Sequence, residues 1–226
     1  MMKNTMNLLL GIFLVLCSLF AGCEQQDRPA PAVPRPQTDY EGTIVAVGDS
    51  LTAGLGVSER DAYPARLERK LRETGLHWRV INAGISGETS SGARSRVNWT
   101  LKLIPDIVIL ETGANDGLRG IDPAVTRRNI DETVRILKQN RVVVVLAGMR
   151  MFTNLGRDYT KAFAELYPAV AKKHDVILVP FFLEGVAGDP ALNQADGIHP
   201  TAEGYRTITE TVHAHVLKAI RQAGKR

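Results

Sequence analysis

A chain of 226 residues with 44% hydrophobic side chains can bury one sizeable core, and its length leaves one domain or two open. Its 28 Lys and Arg are interleaved with 24 Asp and Glu, for a formal net charge of +4. A mixed surface of this kind, without a basic stripe studded by aromatic residues, argues against a nucleic-acid binder.

The first residues stand apart from the rest. Lys3 precedes the run LLLGIFLVLCSLFAGC, whose apolar core of about 14 residues is short of the ~20 that a membrane-spanning helix needs. Residues 1–22 therefore read as a secretory signal peptide to be left out of the fold. They end in Leu19-Phe20-Ala21-Gly22 before Cys23, which resembles a bacterial lipobox, where the cysteine becomes the lipidated first residue. Phe20 departs from the Leu usual at that place, and simple cleavage near Ala21 or Gly22 is the alternative. Cys17 would leave with the leader and Cys23 would carry the lipid, so the mature domain has neither a disulfide nor a thiolate metal site. From Glu24 to Tyr40 the chain is rich in Pro, Ala and Gln, with Pro29, Pro31, Pro34 and Pro36 close together. Such a stretch buries little apolar surface and reads as a tether. The expectation is an exported periplasmic or cell-envelope protein, meeting the membrane through a lipid on Cys23.

Residues 41–226 carry a regular pattern. Val- and Ile-rich runs at Thr43–Val47, Trp78–Ile81, Asp106–Leu110, Arg141–Leu146 and Val176–Val179 predict five strands. Longer stretches with helical spacing lie between them. Ile130, Val134 and Leu137 share one face of a helix that Asp122 and Pro123 open, and Tyr205, Ile208, Val212 and Val216 stripe a final helix. Near-continuous apolar strands alternating with amphipathic helices predict a single α/β domain, a three-layer, doubly wound parallel sheet covered on both faces. Right-handed crossovers put the carboxyl ends of all strands of such a sheet on one edge, where ligands bind.

Four polar stretches fall on that edge. Gly48-Asp49-Ser50-Leu51 follows the first strand, and Asn82-Ala83-Gly84-Ile85-Ser86-Gly87-Glu88 the second. Thr112-Gly113-Ala114-Asn115-Asp116 follows the third, and Asp196-Gly197-Ile198-His199-Pro200 precedes the last helix. Their chemistry is complementary. A serine hydroxyl is a poor nucleophile until a base takes its proton, and an imidazole titrating near neutral pH suits that task. Ser50 and His199 are the candidates, with Asp196 placed to fix the imidazole tautomer. The backbone N–H groups of Ser50 and Gly87 and the side-chain amide of Asn115 are candidate donors to a tetrahedral oxyanion.

Each stretch also has a plainer reading. Asp49-Ser50 could cap a helix, Gly84 and Gly87 could serve turns, and Asn115-Asp116 could be a second cap. Ser86 is not in a nucleophile elbow, because the last position of Gly-x-Ser-x-Gly is Glu88. Gly54-Leu55-Gly56 lacks the third glycine of a dinucleotide loop. His77, His174, His213 and His215 read as surface or helix residues, and His213 and His215 point to different faces of a helix.

Taken together, Ser50 in Gly-Asp-Ser-Leu, Gly87 after the second strand, Asn115 in Gly-x-Asn-Asp and His199 in Asp-x-x-His resemble the SGNH hydrolases, or GDSL esterases and lipases. The stretches GDSLTAGLG, NAGISGETS, TGANDGLRG and ADGIHPTAEGY are most similar to the bacterial acyl-CoA thioesterase I, arylesterase and lysophospholipase group, and the likeness runs from Thr43 to Val216. The resemblance implies a flavodoxin-like sheet of order 2-1-3-4-5, a Ser50–His199–Asp196 triad, the three oxyanion donors above, and no metal or organic cofactor. It implies small-molecule substrates: aryl and short-chain esters, acyl thioesters or lysophospholipids, with acetylated sugars in some members. The stretch Met149-Arg150-Met151-Phe152-Thr153-Asn154-Leu155-Gly156 departs from the Pro-Asn-Tyr-Gly-like loop of the group. Met151, Phe152 and Leu155 could form an acyl-binding wall or pack in the core, and Leu118 sits in a second loop expected to border the pocket. The rivals are a carbohydrate-ester deacetylase and a non-catalytic binding lipoprotein.

Overall fold

The structure, a computed structural model, describes residues 40–224. The leader 1–22, Cys17, Cys23 and the proline-rich stretch up to residue 39 lie outside the described residues.

Strand β1 (Gly42–Gly48) leads into a four-residue helix α1 (Ser50–Ala53), and helix α2 (Tyr63–Glu73) carries the chain to strand β2 (Trp78–Gly84). Short helices α3 (Ser90–Ser95) and α4 (Val97–Leu101) precede strand β3 (Ile107–Glu111). Helix α5 (Ala114–Leu118) and the long α6 (Pro123–Gln139) lead to strand β4 (Val143–Ala147). Helix α7 (Arg157–His174), strand β5 (Ile177–Val179) and helix α8 (Ala202–Ala223) complete the domain.

All strand pairs are parallel, in the order β2-β1-β3-β4-β5. The expected flavodoxin-like sheet is borne out. β3 and β4 are buried along their whole length, because helices cover both faces. Each fully buried Val, Ile or Leu there contributes about 1.5–3 kcal/mol. The centre of the sheet is therefore the rigid part against which its edge is built. Helix α2 packs on α8, and α6 on α7. The predicted apolar stripes face inward: Ile130, Val134 and Leu137 are buried in α6, and Tyr205, Ile208, Val212 and Val216 in α8.

Two strand boundaries move by more than one residue from their expected places. β4 begins at Val143 rather than Arg141, because Arg141 takes a left-handed φ of 62° in the turn that ends α6. β2 runs on to Gly84, so Asn82, Ala83 and Gly84 are strand and not loop. The extension is possible because a Cβ at Gly84 would collide with the Ala53 backbone, and glycine lets α1 settle against the strand end.

Candidate active site

β1 ends in a turn that presents Ser50 at the start of α1. Asp49 caps that helix, its side chain accepting from the Leu51 N–H at 2.9 Å. Gly54 closes the helix in the left-handed region, at φ 83°, where a side chain would be strained. Gly48 serves here by its size and not by a special backbone angle. Its φ is not in the left-handed region, and a Cβ there would collide with Thr52 Oγ1 and Glu111 Oε2.

The segment before α8 brings the histidine to the same edge. Gly197, at φ 70°, sits in a turn closed by its N–H bonding to the Gln194 carbonyl at 2.9 Å, and Asn193 bridges Pro200. Asp196 Oδ1 accepts from the backbone N–H groups of Ile198 (2.9 Å) and His199 (3.0 Å). Its Oδ2 lies 2.7 Å from His199 Nδ1. These bonds, those from His199 first, hold the Asp196 carboxyl well below the usual carboxylate range. A carboxylate can only accept, so Nδ1 carries the ring proton and Nε2 is left as an acceptor. Nε2 stands 2.8 Å from Ser50 Oγ. Residues 149 positions apart in the chain are thus in hydrogen-bond contact.

Asn115 stands on α5, opened by Gly113 at φ 106°, a glycine held close to the Tyr167 hydroxyl. Its Nδ2 donates to Asp49 Oδ2 at 3.0 Å and to the Glu88 carbonyl at 3.1 Å. It thereby ties the nucleophile turn to the loop that carries Gly87. That loop is exposed at Gly87, whose φ is 79°, and Arg119 donates to the Gly87 carbonyl at 2.9 Å. Asp116 is a buried brace: it accepts from the Ser90 N–H at 2.7 Å and from Thr126 at 3.2 Å, pinning the β2–α3 connection to α5 and α6. The structure brings Ser50, Asp196 and His199 into one chain of bonds. Asn115 and the Gly87 loop adjoin Ser50 through Asp49 and Glu88.

A cleft of about 280 Å³ opens beside this chain. Leu51, Ala114 and Ile198, neighbours of Ser50, Asn115 and His199, line it. So do Leu118, Met151 and Phe152 from the two loops singled out in the sequence. Leu155 lies outside the lining, in a short 3-10 turn (Thr153–Leu155). Met149 is both core and lining, because the chain enters the cleft straight from β4. Met151 packs down because Gly117 has no side chain; a Cβ there would collide with the Met151 sulfur. Phe181 and Leu183, beyond β5, complete an apolar wall, and Arg150 stands over the Phe181 ring at 4.9 Å.

Several supporting residues carry no motif that sequence reasoning could have used. Gln194 donates to the Leu55 carbonyl (2.7 Å) and the Pro200 carbonyl (3.0 Å), joining the histidine segment to the loop after α1. Arg96 and Glu88 form a largely buried pair at 2.6 Å, and Arg96 also donates to the Ala83 carbonyl at 2.8 Å, so the Gly87 loop is anchored on β2. Glu111 lies behind the nucleophile turn. Phe181 and Leu183 could have been sought only by knowing that β5 is an edge strand beside β4. Of the other histidines, His174 at the end of α7 does meet a carboxylate, Asp131 of α6, at 2.9 Å.

Residues 46–207 match the GDSL-like Lipase/Acylhydrolase family. The chain is 40% identical over 171 residues to the Esterase TesA of Pseudomonas aeruginosa, covering 75% of this chain and 85% of that protein. It is 38% identical over 169 residues to the Thioesterase 1/protease 1/lysophospholipase L1 of Escherichia coli, covering 74% and 80%. A crystal structure of TesA superposes with a TM-score of 0.76 at 38% identity, covering 78% of this chain and 99% of the other. The sheet order, the four motif stretches on one edge and these likenesses agree: the chain belongs to the GDSL-like lipase/acylhydrolase family, the SGNH hydrolases.

Proposed function

We propose that the protein hydrolyses carboxylic esters, and acyl thioesters of the same acyl group, through an acyl-Ser50 intermediate. The observation that carries the reading is the continuous chain Ser50 Oγ–His199 Nε2 (2.8 Å) and His199 Nδ1–Asp196 Oδ2 (2.7 Å) beside an apolar cleft. Ser50 Oγ attacks the substrate carbonyl while His199 Nε2 takes the hydroxyl proton. Asp196 holds the tautomer and balances the imidazolium. The oxyanion is met by the N–H of Ser50, an N–H at a helix start that has no intrahelical acceptor, by the Gly87 N–H, and by Asn115 Nδ2, which exchanges one of its present acceptors for it. His199 returns the proton to the leaving alcohol or thiol. Water, deprotonated by the same nitrogen, then releases the acid and restores Ser50.

Leu118, Met151 and Phe152 contact the acyl chain, with Phe181 and Leu183 in the same lining. An apolar lining of this kind favours an acyl chain over a sugar. The relatives named as esterase and as thioesterase and lysophospholipase support the same substrate class. The leader 1–22, the lipobox-like end at Cys23 and the proline-rich tether support export and a lipid anchor in the cell envelope.

A serine-directed alkyl phosphonate tests the reading. Stoichiometric mass addition on the Ser50 peptide, abolished in Ser50→Ala, is the expected result. A folded wild-type protein that gains no adduct and cleaves no p-nitrophenyl ester is a binding protein instead.

A further inference from the structure

A buried polar pocket behind Ser50 takes no part in that cycle. Glu111, the last residue of β3, is fully buried, and Asp49 is 1% exposed. Glu111 Oε2 accepts from the Thr52 hydroxyl at 2.8 Å and from the Asp49 N–H at 3.2 Å. Its other oxygen has no partner among the described residues. Asp49 in turn accepts from the Leu51 N–H and the Asn115 amide. Gly48 is the residue whose missing Cβ makes room for the Glu111 carboxyl. One side chain of β3 is thus wedged under the turn that carries the nucleophile and is a single residue removed from Asn115.

We propose that Glu111 is a positioning residue: it props the Asp49–Leu51 turn from behind and, through Asp49, sets where Ser50 Oγ and the Asn115 amide stand. The inference rests on the esterase reading above. Glu111 does this as the neutral acid. Two carboxyl groups buried together cannot both ionise without a cation between them. The groups around the pair are Thr52 of α1, Tyr63 of α2, Tyr167 of α7, Tyr205 of α8, His199, and Arg96, whose Nη2 reaches the Gly48 carbonyl at 3.5 Å. Burial pushes the three tyrosines up, so they stay uncharged, and Arg96 is committed to Glu88. Burial, then the Asp49 charge, pushes Glu111 well above the ordinary carboxyl range. Burial raises Asp49 as well, but bonds from Leu51 and Asn115 and the field of His199 pull it back. The shared proton therefore rests on Glu111, and Asp49 beside it keeps the charge.

Two variants separate hydrogen bonding from charge and from packing. Glu111→Gln keeps the volume and an acceptor for Thr52 and the Asp49 N–H without an ionisable group; Glu111→Met keeps the volume with neither. On a p-nitrophenyl ester, Glu111→Met is expected to lose kcat by up to on the order of 10²-fold, with KM moving less. Glu111→Gln should keep most of the wild-type kcat, and phosphonate labelling of Ser50 should slow in the same order. Equal labelling rates in all three proteins overturn the positioning role while leaving the esterase reading intact; a wild-type protein that never labels overturns that reading instead. A loss in Glu111→Gln as large as in Glu111→Met overturns the neutral-acid role.

A melting series reads the protonation without activity, and without the Met variant. The folded wild type keeps a proton that the unfolded chain releases near pH ~4.3, so its stability falls as pH rises above that value. Glu111→Gln lacks this loss. Its Tm relative to wild type should climb between about pH 4 and pH 8, and a constant difference would overturn the assignment.

Discussion

Two acidic regions flank Ser50, and they are built in opposite ways. Asp196 sits on a turn with its side chain 47% exposed, and bonds from His199 and Ile198 hold it well below the usual carboxylate range. Glu111 and Asp49 lie in the interior, and burial pushes both upward. The same functional group is thus a fixed charge on one side and a proton store on the other. The difference teaches that proximity to the nucleophile does not decide a carboxyl's state; solvent and available donors do. The linkage signs are opposite too. The depressed pKa of Asp196 favours the folded state above the unfolded value near pH ~3.9, and that contribution is lost as pH falls through the folded value. The raised pKa of Glu111 disfavours the folded state as pH rises above its unfolded value.

The bluntest experiment removes what both regions serve. Ser50→Ala should cut kcat by on the order of 10⁶-fold, as loss of a triad nucleophile does elsewhere, with circular dichroism and melting unchanged. A variant that keeps more than about a thousandth of the activity would move the nucleophile to another residue. Asp196→Asn tests the exposed acid alone. It keeps the oxygen that accepts from Ile198 and His199 but offers an amide to Nδ1, and so favours the wrong tautomer. A loss of roughly 10⁴-fold in kcat is expected, with Tm scarcely altered because the side chain is half in water. If Tm collapses instead, Asp196 is a structural group and the contrast with Glu111 fails.

Asn115→Ala reaches the point where the buried pair meets the site. Loss of an oxyanion donor predicts a fall of about 10²–10³-fold, mainly in kcat. A rise in KM alone would make Asn115 a substrate-binding group. Gly48→Ala perturbs the buried side through packing. The added methyl must displace the Thr52 hydroxyl, the Glu111 carboxyl and the Glu111 backbone carbonyl together, at a cost of about 1–3 kcal/mol by denaturant unfolding. A neutral result would mean that the Glu111 carboxyl is free to move, which would weaken its role as a prop. The Glu111→Gln and Glu111→Met pair completes the series, with the smallest effect expected for the Gln variant.

Much of the edge chemistry was legible because it is written in short runs. Asp49 before Ser50 names a cap, Asp196-Gly197 names a turn, and Asp196 reaches His199 within three residues of chain. The strands announced themselves as Val and Ile runs, and the helix of Ile130, Val134 and Leu137 by its spacing. The cleft was half legible: Leu118, Met151 and Phe152 lie in it, but Phe181 and Leu183 belong to a segment that carries no motif. Leu155, equally apolar in the sequence, falls outside the lining because the chain there turns into a short 3-10 segment.

The sequence by itself determined the class of chemistry, the five strands and the residues able to act as nucleophile, base and orienter, because those follow from side-chain type and from backbone preferences that act over a few residues. Only the tertiary structure decided which groups meet. Parallel pairing sets Val47 of β1 beside Leu110 of β3, and the next step along both strands brings Gly48 to Glu111. No local preference encodes that register. It comes from burying the apolar faces of strands far apart in the chain, and it turns an ordinary glutamate at a strand end into a neutral acid under the nucleophile.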